Sequence, residues 1–380
     1  MGPDGDAGAV DYPSIILAGG GTGGPIYPAL AVAGELRNRR PDLPLLFVGT
    51  RTGLEARLVP AAGFPLRFIN SAGIAGKSWP VRLVNSLRIP WSMLQSVGIV
   101  MGHRAGVVVG VGGYASGPVV LAGSLLRRPT LIMEQNAVAG STNRILAPLV
   151  DQVAVTYPET ATRLKGRCRV TGNPVRAGFT ALPDRRVAGR PRLLIFGGSR
   201  GARGLNDAVM DALPALAGAE NLRIRHQTGS ADLERVRAAY SHTSLDAEVI
   251  PYIEDMAGAY AEADLVVCRA GATTIAELSA AGRAAVLVPF PGATGGHQEE
   301  NGRALAGAGA AVLLREDETG SGRLAQVVIA LLSDAPRRHD MEEAAVSLGA
   351  PGAATTVADM ILELYDRRWR RRAAGNGKPA

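Results

Sequence analysis

Cysteine is almost absent from this 380-residue chain, which holds only Cys168 and Cys268. The two lie far apart in the sequence, neither belongs to a CxxC pair, and no histidine or second cysteine is close enough to suggest a zinc site. The sequence therefore excludes a disulfide framework and favours a reducing compartment. No metal site is predicted.

Long apolar runs are also missing, since none approaches the roughly 20 residues that a membrane-spanning helix needs. The N-terminus carries Asp4, Asp6 and Asp11 where a secretory signal needs positive charge. We therefore expect a cytoplasmic protein that is not secreted and is either soluble or peripheral to a membrane.

Aromatic residues make up only 4% of the chain, against 47% hydrophobic residues and 48 glycines. Such a composition is typical of helices packed closely on parallel strands, and the length predicts two domains.

The net charge is +7, but five arginines lie between residues 367 and 372, so the charge does not predict a nucleic-acid partner. Those arginines could hold an anionic membrane surface, or be the solvated end of a terminal helix.

Two segments repeat one design of apolar strand, glycine-rich loop and apolar-periodic helix, at residues 14–36 and 192–213. Further short β-rich runs alternate with helical stretches, which is typical of parallel α/β sheets. We predict two tandem Rossmann-like domains, 1–175 and 176–353, with a ligand in the cleft between them. A helix over 354–368 is expected to pack back on the first domain, and 369–380 to form a basic, disordered tail.

The first glycine loop fits the GxGxxG pattern through Gly19, Gly21 and Gly24. A dinucleotide site also needs an acidic residue after the next strand, where Arg51 stands instead, so an NAD site is disfavoured while an NADP site stays open.

Three other loops carry chemistry-bearing residues. The loop 197–201 opens a helix and offers amides to an anion, or serves close helix–strand packing. Glu277, in the segment 269–278, could accept the hydroxyls of a ribose, or be a surface glutamate. The segment 289–301 ends in polar groups suited to sugar hydroxyls, which alone would count as loop polarity.

Residues 73–100 combine two tryptophans with three basic residues. This pattern favours a surface helix resting on a lipid interface, with an ordinary buried amphipathic helix as the alternative.

A series of long motifs follows in order along residues 14–365: GGGTGG with PALAVA, FVGTRTGLEARLVP, GVGGYASGP, EQNAVAGSTNRIL, TGNPVR, GGSRGARGLN, YIEDMAGAYAEADLVVCRAGATTIAEL and HQEENGRAL. On these motifs the chain resembles the MurG family, the UDP-N-acetylglucosamine-dependent transferases that complete the lipid-linked peptidoglycan precursor. The resemblance implies the two-domain GT-B glycosyltransferase fold, with the UDP-sugar donor in the C-terminal domain and a lipid-linked acceptor in the N-terminal one. The family mechanism implies inversion at the sugar, and we expect no cofactor. From residues 73–100 and the arginines near the C-terminus we expect peripheral attachment to the inner face of the cell membrane.

The resemblance also assigns roles by matched position. Ile253 matches the residue at the uracil, Glu277 the ribose acid, and Ala272, Thr273 and Thr274 the turn at the diphosphate. Ser199 and Arg176 match residues at the phosphates, Gln298 a contact to the sugar hydroxyls, and Asn136 a residue facing the sugar across the cleft. Thr22, Gly23 and Gly24 match the loop for the acceptor diphosphate.

Two departures concern the acceptor side. Pro25 replaces the histidine of the family's GGTGGH, and MEQN at 133–136 replaces its HEQN. Glu134, which follows a strand at its carboxyl end, becomes the candidate general base, with a structural role in orienting its loop as the alternative. His103 and His297 are weaker candidates.

Three classes of function therefore stay open. The first is transfer of N-acetylglucosamine to a lipid-diphosphate-linked muramoyl pentapeptide. The second is a paralogous transferase acting on another acceptor in antibiotic biosynthesis, and the third a Rossmann protein binding NADP or nucleic acid. The acceptor, the stereochemical outcome, the donor epimer and the oligomeric state are not fixed by the sequence.

Overall fold

The computed structural model describes residues 12–71, 79–176, 178–179, 182–183, 186, 190–198, 201–320 and 322–375. Across these residues run two parallel β-sheets, one of seven strands and one of six. The first sheet consists of β1 Ile15–Gly19, β2 Leu45–Gly49, β3 Leu66–Phe68, β4 Val107–Gly112, β5 Thr130–Glu134, β6 Gln152–Val155 and β7 Cys168–Val170. The second consists of β8 Arg192–Phe196, β9 Arg223–Gln227, β10 Asp246–Ile250, β11 Leu265–Cys268, β12 Ala285–Leu287 and β13 Ala311–Leu313.

Both sheets have the doubly wound strand order. The first runs β3-β2-β1-β4-β5-β6-β7 and the second β10-β9-β8-β11-β12-β13. In register, Ile15 of β1 pairs with Leu45 on one side and Val107 on the other. The order reverses between β1 and β4 and between β8 and β11, and such switch points are where open α/β sheets bind ligands.

Helices cover both faces of each sheet. In the first half of the chain they are α1 Gly23–Arg39, α2 Glu55–Ala61, α3 Trp79–Gly102, α4 Ser116–Leu125, α5 Ser141–Leu146 and α6 Pro158–Arg163. In the second half they are α7 Arg203–Leu216, α8 Leu233–Tyr240, α9 Met256–Glu262, α10 Ala272–Ala281, α11 His297–Gly307, α12 Arg323–Ser333, α13 Ala335–Ser347 and α14 Ala353–Gly375. The prediction of two tandem Rossmann-like domains is confirmed, and the predicted boundary lies between β7 and β8.

Each sheet has a hydrophobic core on either face, which explains why central strands such as β1, β2 and β11 are apolar throughout. In β1, Ile15 and Leu17 lie in one core of the first domain, while Ile16 and Ala18 lie in the other. All four side chains are fully buried. The alternation follows from the two-residue period of a strand, which sends successive side chains to opposite faces.

The last helix, α14, crosses back to the first domain. Val357 and Ile361 are buried in the same core as Ile15, and Asp359 accepts a hydrogen bond from Arg39 of α1 at 2.7 Å. The Tyr365 hydroxyl donates to the Pro13 carbonyl at 3.0 Å. The first and the last helices of the described residues, α1 and α14, therefore belong to the same domain.

The structure corrects the predicted end of this helix. We expected it to stop at 368 and a disordered tail to follow, but α14 continues to Gly375. The arginines and alanines of 369–375 have high helix propensity, which accounts for the extension.

Two segments therefore join the domains, one before β8 and one between α13 and α14, and they touch each other. A Cβ added to Gly172 would lie 2.1 Å from the Ala350 Cβ, too close for any side chain. Gly172 also has a φ of +76°, in the left-handed region that favours glycine. Glycine at 172 is thus required by the contact between the two connections.

The segment predicted as an interfacial helix forms α3 from Trp79 onward, while residues 72–78 lie outside the described part of the chain. On α3 the Trp91, Leu94 and Met101 side chains are more than half exposed. Among the residues that the structure describes, no helix is both long and apolar enough to cross a bilayer.

Candidate active site

The loops singled out in the sequence lie at the two switch points, and the two switch points face each other. The glycine loop follows β1 in the first domain. In the second domain, residues 197–198 follow β8 and residues 269–271 follow β11. The Tyr27 hydroxyl of α1 lies 3.2 Å from the Tyr252 hydroxyl of the second domain. Burial, followed by the hydrogen bond with Tyr252, raises the pKa of Tyr27 to about 12, so its hydroxyl is neutral. The cleft is therefore lined by loops from both domains.

The glycine loop is supported by a carboxylate that the sequence reasoning missed. Glu55, 1% exposed, accepts hydrogen bonds from the Gly21 amide at 2.6 Å and from the Thr50 amide and hydroxyl at 2.8 Å each. A Cβ on Gly20 would lie 2.3 Å from the Glu55 carboxyl carbon, so the loop approaches this carboxylate too closely for a side chain. The sequence does contain a glutamate in GTRTGLE after the glycine loop. The contact between the two is visible only in the folded structure.

Helix α1 begins at Gly23, so the predicted acceptor loop of Thr22, Gly23 and Gly24 forms the start of a helix. The first amides of a helix have no partner within it, and its dipole favours an anion at this end. The Gly21 amide, by contrast, is taken by Glu55. The loop can therefore offer a diphosphate the amides of Thr22, Gly23 and Gly24, whereas Pro25 has no amide hydrogen.

Pro25 lies in the first turn of α1, where its fixed φ is compatible with the helix. A Cβ on Gly112, at the end of β4, would lie 3.8 Å from the Pro25 ring and 3.7 Å from the Gln135 side-chain oxygen. Positions 25 and 135 therefore both lie around the end of β4. Met133, the second departure from the family, is 2% exposed and lies in a core of the first domain. This departure therefore changes the packing of the core and does not change the lining of the cleft.

Glu134 occupies the carboxyl end of β5, as predicted, but its carboxylate is fully engaged. One oxygen accepts from the Asn136 amide and side chain at 3.0 Å each, and the other from the Gly140 amide and the Asn143 side chain at 2.9 Å each. The side chain is only 3% exposed. The expectation of a general base is therefore not supported, because neither oxygen is available to an acceptor hydroxyl. The geometry favours the alternative, in which Glu134 orients the loop that follows it.

The two candidate histidines lie in different places. The His103 carbonyl accepts from Ser14, the residue before β1, so His103 is at the amino edge of the sheet, away from the glycine loops. His297 begins α11 in the second domain, next to the loop predicted for the sugar.

Glu277 and Arg176, predicted at the ribose and the phosphates, form an ion pair at 2.9 Å. Glu277 is 5% exposed, and burial raises the pKa of its carboxyl although the Arg176 charge acts in the opposite direction. The Arg176 guanidinium also stacks 4.1 Å from the centre of the Tyr27 ring. Arg176 thus contacts the predicted ribose acid and a helix of the other domain.

The predicted diphosphate turn is the start of a helix. Ala272, Thr273 and Thr274 form the first turn of α10, whose amides point toward the cleft end of β11. The Thr273 hydroxyl donates to the Gly24 carbonyl of the first domain at 2.9 Å. The turn predicted for the donor therefore contacts the loop predicted for the acceptor. Ser199 falls outside the described residues.

At the other end of the cleft, an asparagine that the sequence reasoning treated as loop polarity joins the domains. Asn301 is fully buried, accepts from the Ala137 amide at 2.9 Å and donates to the Asn136 side chain at 3.2 Å. Gln298 accepts from the Phe290 amide at 2.9 Å, which holds the 289–301 loop in place. Asn136 and Gln298 therefore come from opposite domains, as the resemblance implied.

Ile253 is 6% exposed, in the second-domain core that also contains Phe196 and Ala270. Among the residues that the structure describes, no group of three or more His, Cys, Asp or Glu side chains is gathered as a metal site would require. The prediction that no metal takes part is not tested by this and stays a prediction.

Comparison with known proteins gives matches over nearly the whole chain. Residues 15–155 match the glycosyltransferase family 28 N-terminal domain, and residues 192–359 match the glycosyltransferase family 28 C-terminal domain. A relative from Anaeromyxobacter sp. (strain Fw109-5) is 48% identical over 360 residues, which are 93% of this chain and 94% of the relative. It is named UDP-N-acetylglucosamine--N-acetylmuramyl-(pentapeptide) pyrophosphoryl-undecaprenol N-acetylglucosamine transferase.

Two solved structures extend the comparison. The crystal structure of MurG from Acinetobacter baumannii is 34% identical, with a TM-score of 0.75, covering 92% of this chain and 99% of that one. A glycosyltransferase of kitacinnamycin has a TM-score of 0.71 at 18% identity, covering 93% of this chain and 99% of that one, which shows likeness of fold alone.

Proposed function

The chain belongs to the MurG family, within glycosyltransferase family 28, and we propose on that premise that it transfers N-acetylglucosamine from UDP-N-acetylglucosamine to lipid I, giving lipid II. Lipid I is the undecaprenyl-diphospho-muramoyl pentapeptide. The chain is accordingly an N-acetylglucosaminyltransferase, a hexosyltransferase of peptidoglycan biosynthesis.

The observation that carries this function is the hydrogen bond from Thr273 to the Gly24 carbonyl. It places the start of α10, suited to the leaving diphosphate of a donor, against the start of α1, suited to the diphosphate of an acceptor. Two helix starts that face each other across a cleft can hold two anionic substrates at once. Transfer between two diphosphate-linked sugars needs such an arrangement.

The donor site that we propose joins residues of both domains. Glu277 receives the ribose hydroxyls, Ile253 lies at the uracil, and Gln298 and Asn136 contact the sugar. The phosphates are held by Arg176, Ser199 and the turn of Ala272, Thr273 and Thr274. Burial of Glu277, the helix start at Ala272 and the stacked guanidinium of Arg176 support these assignments.

In the proposed reaction the acceptor hydroxyl attacks the anomeric carbon while the bond to the UDP oxygen breaks on the opposite side, so configuration inverts. The bond electrons leave with UDP, and the proton of the acceptor hydroxyl passes to water. Negative charge develops on the departing diphosphate. The Arg176 guanidinium and the amides of the α10 start stabilise that charge without a metal, and removal of one such donor typically costs about 10²–10³ in rate. Glu134 acts as a positioning residue, since its four hydrogen bonds fix the loop that carries Asn136.

The alternative of a transferase for another acceptor in antibiotic biosynthesis is not favoured. The chain is 48% identical to the Anaeromyxobacter relative, against 18% identity to the kitacinnamycin glycosyltransferase. Pro25 is therefore a divergence within the family rather than a sign of a different reaction.

We also propose that the protein attaches peripherally to the inner face of the cell membrane. The exposed Trp91, Leu94 and Met101 on α3 support this, because a surface helix with exposed apolar side chains suits the interfacial region of a bilayer. Co-sedimentation with anionic vesicles tests it. Attachment as strong as that of the parent after Trp91 and Leu94 are both replaced by serine would contradict the role of α3.

The decisive experiment for the activity is incubation of the purified protein with UDP-N-acetylglucosamine and lipid I. We expect lipid II from the parent and from Pro25→His, because the chain is 48% identical to a transferase of this acceptor over 93% of its length. Product from Pro25→His alone would show that the parent has given up this acceptor. If neither yields lipid II while UDP still binds, the proposed acceptor is wrong.

A further inference from the structure

Asn301 lies close to the residues proposed to contact the donor sugar, but it is closed off from the cleft. It stands on α11, three residues after Gln298, so the two side chains project from one face of that helix, about one turn apart. Gln298 is partly exposed, whereas Asn301 is 0% exposed. The Asn301 side chain is therefore buried too deeply to touch a substrate.

The hydrogen bonds of Asn301 occupy its whole amide group. Its oxygen accepts from the Ala137 amide at 2.9 Å, and its nitrogen donates to the Asn136 side-chain oxygen at 3.2 Å and to the Ala270 carbonyl at 3.4 Å. A side-chain amide nitrogen has two hydrogens, so both are used. Asn301 thus links the loop after β5 in the first domain to the loop after β11 in the second.

The partners fix the direction of both asparagine side chains. A backbone amide only donates, so the Asn301 oxygen must face Ala137. A carboxylate accepts, so the Asn136 nitrogen must face Glu134, to which it donates at 3.0 Å. The Asn136 oxygen is then left facing the Asn301 nitrogen. Reversal of either amide would set two oxygens or two nitrogens against each other.

Asn136 keeps part of its amide group for a ligand. Of the partners within the described residues, Glu134 takes one hydrogen of the nitrogen and Asn301 one lone pair of the oxygen, which leaves one hydrogen and one lone pair. The residue is partly exposed. A sugar hydroxyl both donates and accepts hydrogen bonds, so it matches what remains of the Asn136 amide.

We propose that Asn301 is a positioning residue for the transfer reaction, which acts on the donor sugar through Asn136. Asn301 belongs to the second domain and Asn136 to the first, so one of the two contacts that direct the Asn136 amide forms only where the domains meet. The loop is held from its other side as well, since the Thr160 hydroxyl donates to the Ala137 carbonyl at 2.7 Å. The inference rests on the proposed function, from which it takes the contact between Asn136 and the sugar.

A double-mutant cycle between the two asparagines tests this pathway, with Asn301→Ser, Asn136→Ala and the two combined. Removal of a preorganised donor costs about 10²–10³ in rate, which is the loss of kcat that we expect for Asn136→Ala. Misplacement of a group costs as much as about 10²-fold, which sets the expected loss for Asn301→Ser. If Asn301 acts through Asn136, its substitution should change kcat by less than about twofold once Asn136 is alanine.

Binding of the donor gives a second measurement that does not depend on the acceptor. UDP lacks the sugar, so its dissociation constant in calorimetry should be the same for Asn301→Ser and the parent. UDP-N-acetylglucosamine should bind about 2- to 12-fold more weakly, which corresponds to the loss of one neutral hydrogen bond. In the Asn136→Ala background the substitution at 301 should leave both dissociation constants unchanged.

The matched control is Asn206→Ser. Asn206 is also 0% exposed, and its side chain donates to the Asp232 carboxylate within the second domain at 3.0 Å. Both serine variants should lower the melting temperature, but only Asn301→Ser should lower kcat. If Asn301→Ser does not fold, the cycle is run with Asn301→Asp, which keeps the size of the side chain and an oxygen for the Ala137 amide but has no hydrogen for Asn136.

Equal weakening of UDP and UDP-N-acetylglucosamine binding would show a general structural role for Asn301 and overturn the proposal. An unchanged kcat in Asn301→Ser would overturn it too, as would a loss in the combined variant equal to the product of the two single losses. A parent that forms no lipid II would refute the proposed function, and the comparison of the two ligands would still decide the role of Asn301.

Discussion

Replacement of Glu277 by glutamine tests the donor site at its most informative position. The substitution preserves the size of a side chain that is 5% exposed, and removes its charge. It also converts the 2.9 Å ion pair with Arg176 into a contact between a guanidinium and a neutral amide. Because Arg176 keeps its stacking on Tyr27 and its side chain is 27% exposed, we expect the fold to remain intact.

The expected loss of affinity follows from the hydrogen bonds that the ribose makes. A hydrogen bond to a charged group contributes about 1.5–3 kcal/mol, against about 0.5–1.5 kcal/mol for a neutral one. Two ribose hydroxyls on a neutral amide therefore lose about 2–3 kcal/mol. Part of this is offset because the ligand no longer competes with Arg176 for the carboxylate. We expect UDP to bind about 5- to 50-fold more weakly, equivalent to about 1–2.3 kcal/mol.

Calorimetric titration with UDP measures the effect, with thermal unfolding as the check on the fold. The matched control is Glu262→Gln, which removes the carboxylate of another ion pair in the same domain, 2.6 Å from Arg192. The control should bind UDP as the parent does. An unchanged dissociation constant in Glu277→Gln, or equal weakening in both variants, would refute the assignment of Glu277 to the ribose.

Four further outcomes are expected. Because the pKa of Glu277 is raised, UDP binding should weaken as the pH falls through a value above the ordinary range of a glutamate, and Glu277→Gln should show a flat profile in the same titration. Glu134→Gln should raise the KM for UDP-N-acetylglucosamine and lower the melting temperature, because its loop loses a buried acceptor; a general base would instead lose about 10²–10⁴ in kcat at constant KM. Glu55→Gln should lower the free energy of unfolding by about 1.5–3 kcal/mol and raise the KM for lipid I, while leaving UDP affinity unchanged in calorimetry. Transfer should continue in EDTA, and a rate restored only by added divalent cations would contradict the metal-free reaction.

Local patterns predicted the sheets well, because buried parallel strands leave continuous apolar runs in the sequence. The runs at 45–49 and 130–134 coincide with β2 and β5. The glycine loops were located for the same reason, since a strand, a tight turn and a helix start are neighbours in sequence. The length of α14 was underestimated because a run of arginines was interpreted as a solvated tail.

Contacts between distant segments could not be predicted in the same way. In the sequence, Glu55 is only a glutamate that follows a turn. Its hydrogen bond with the Gly21 amide forms because β1 pairs with β2, which brings the two loops together. Asn301 reaches Asn136 across the cleft, a separation of 165 residues. The role of Glu134 was open until the positions of Gly140 and Asn143 showed that both of its oxygens are occupied.

The contact between Gly172 and Ala350 has a consequence for how enzymes of this architecture can be recombined. The second domain is an insertion into the first, attached through two adjacent strands of chain rather than one. A chimera that exchanges the donor domain therefore needs two junctions, and both must preserve the same close approach of backbone. Two adjacent tethers also confine the inserted domain to rotation about the line that passes through them, whereas a single tether would let it turn freely. Any opening of the cleft must therefore keep Gly172 and Ala350 together, and a larger residue at position 172 would disturb it.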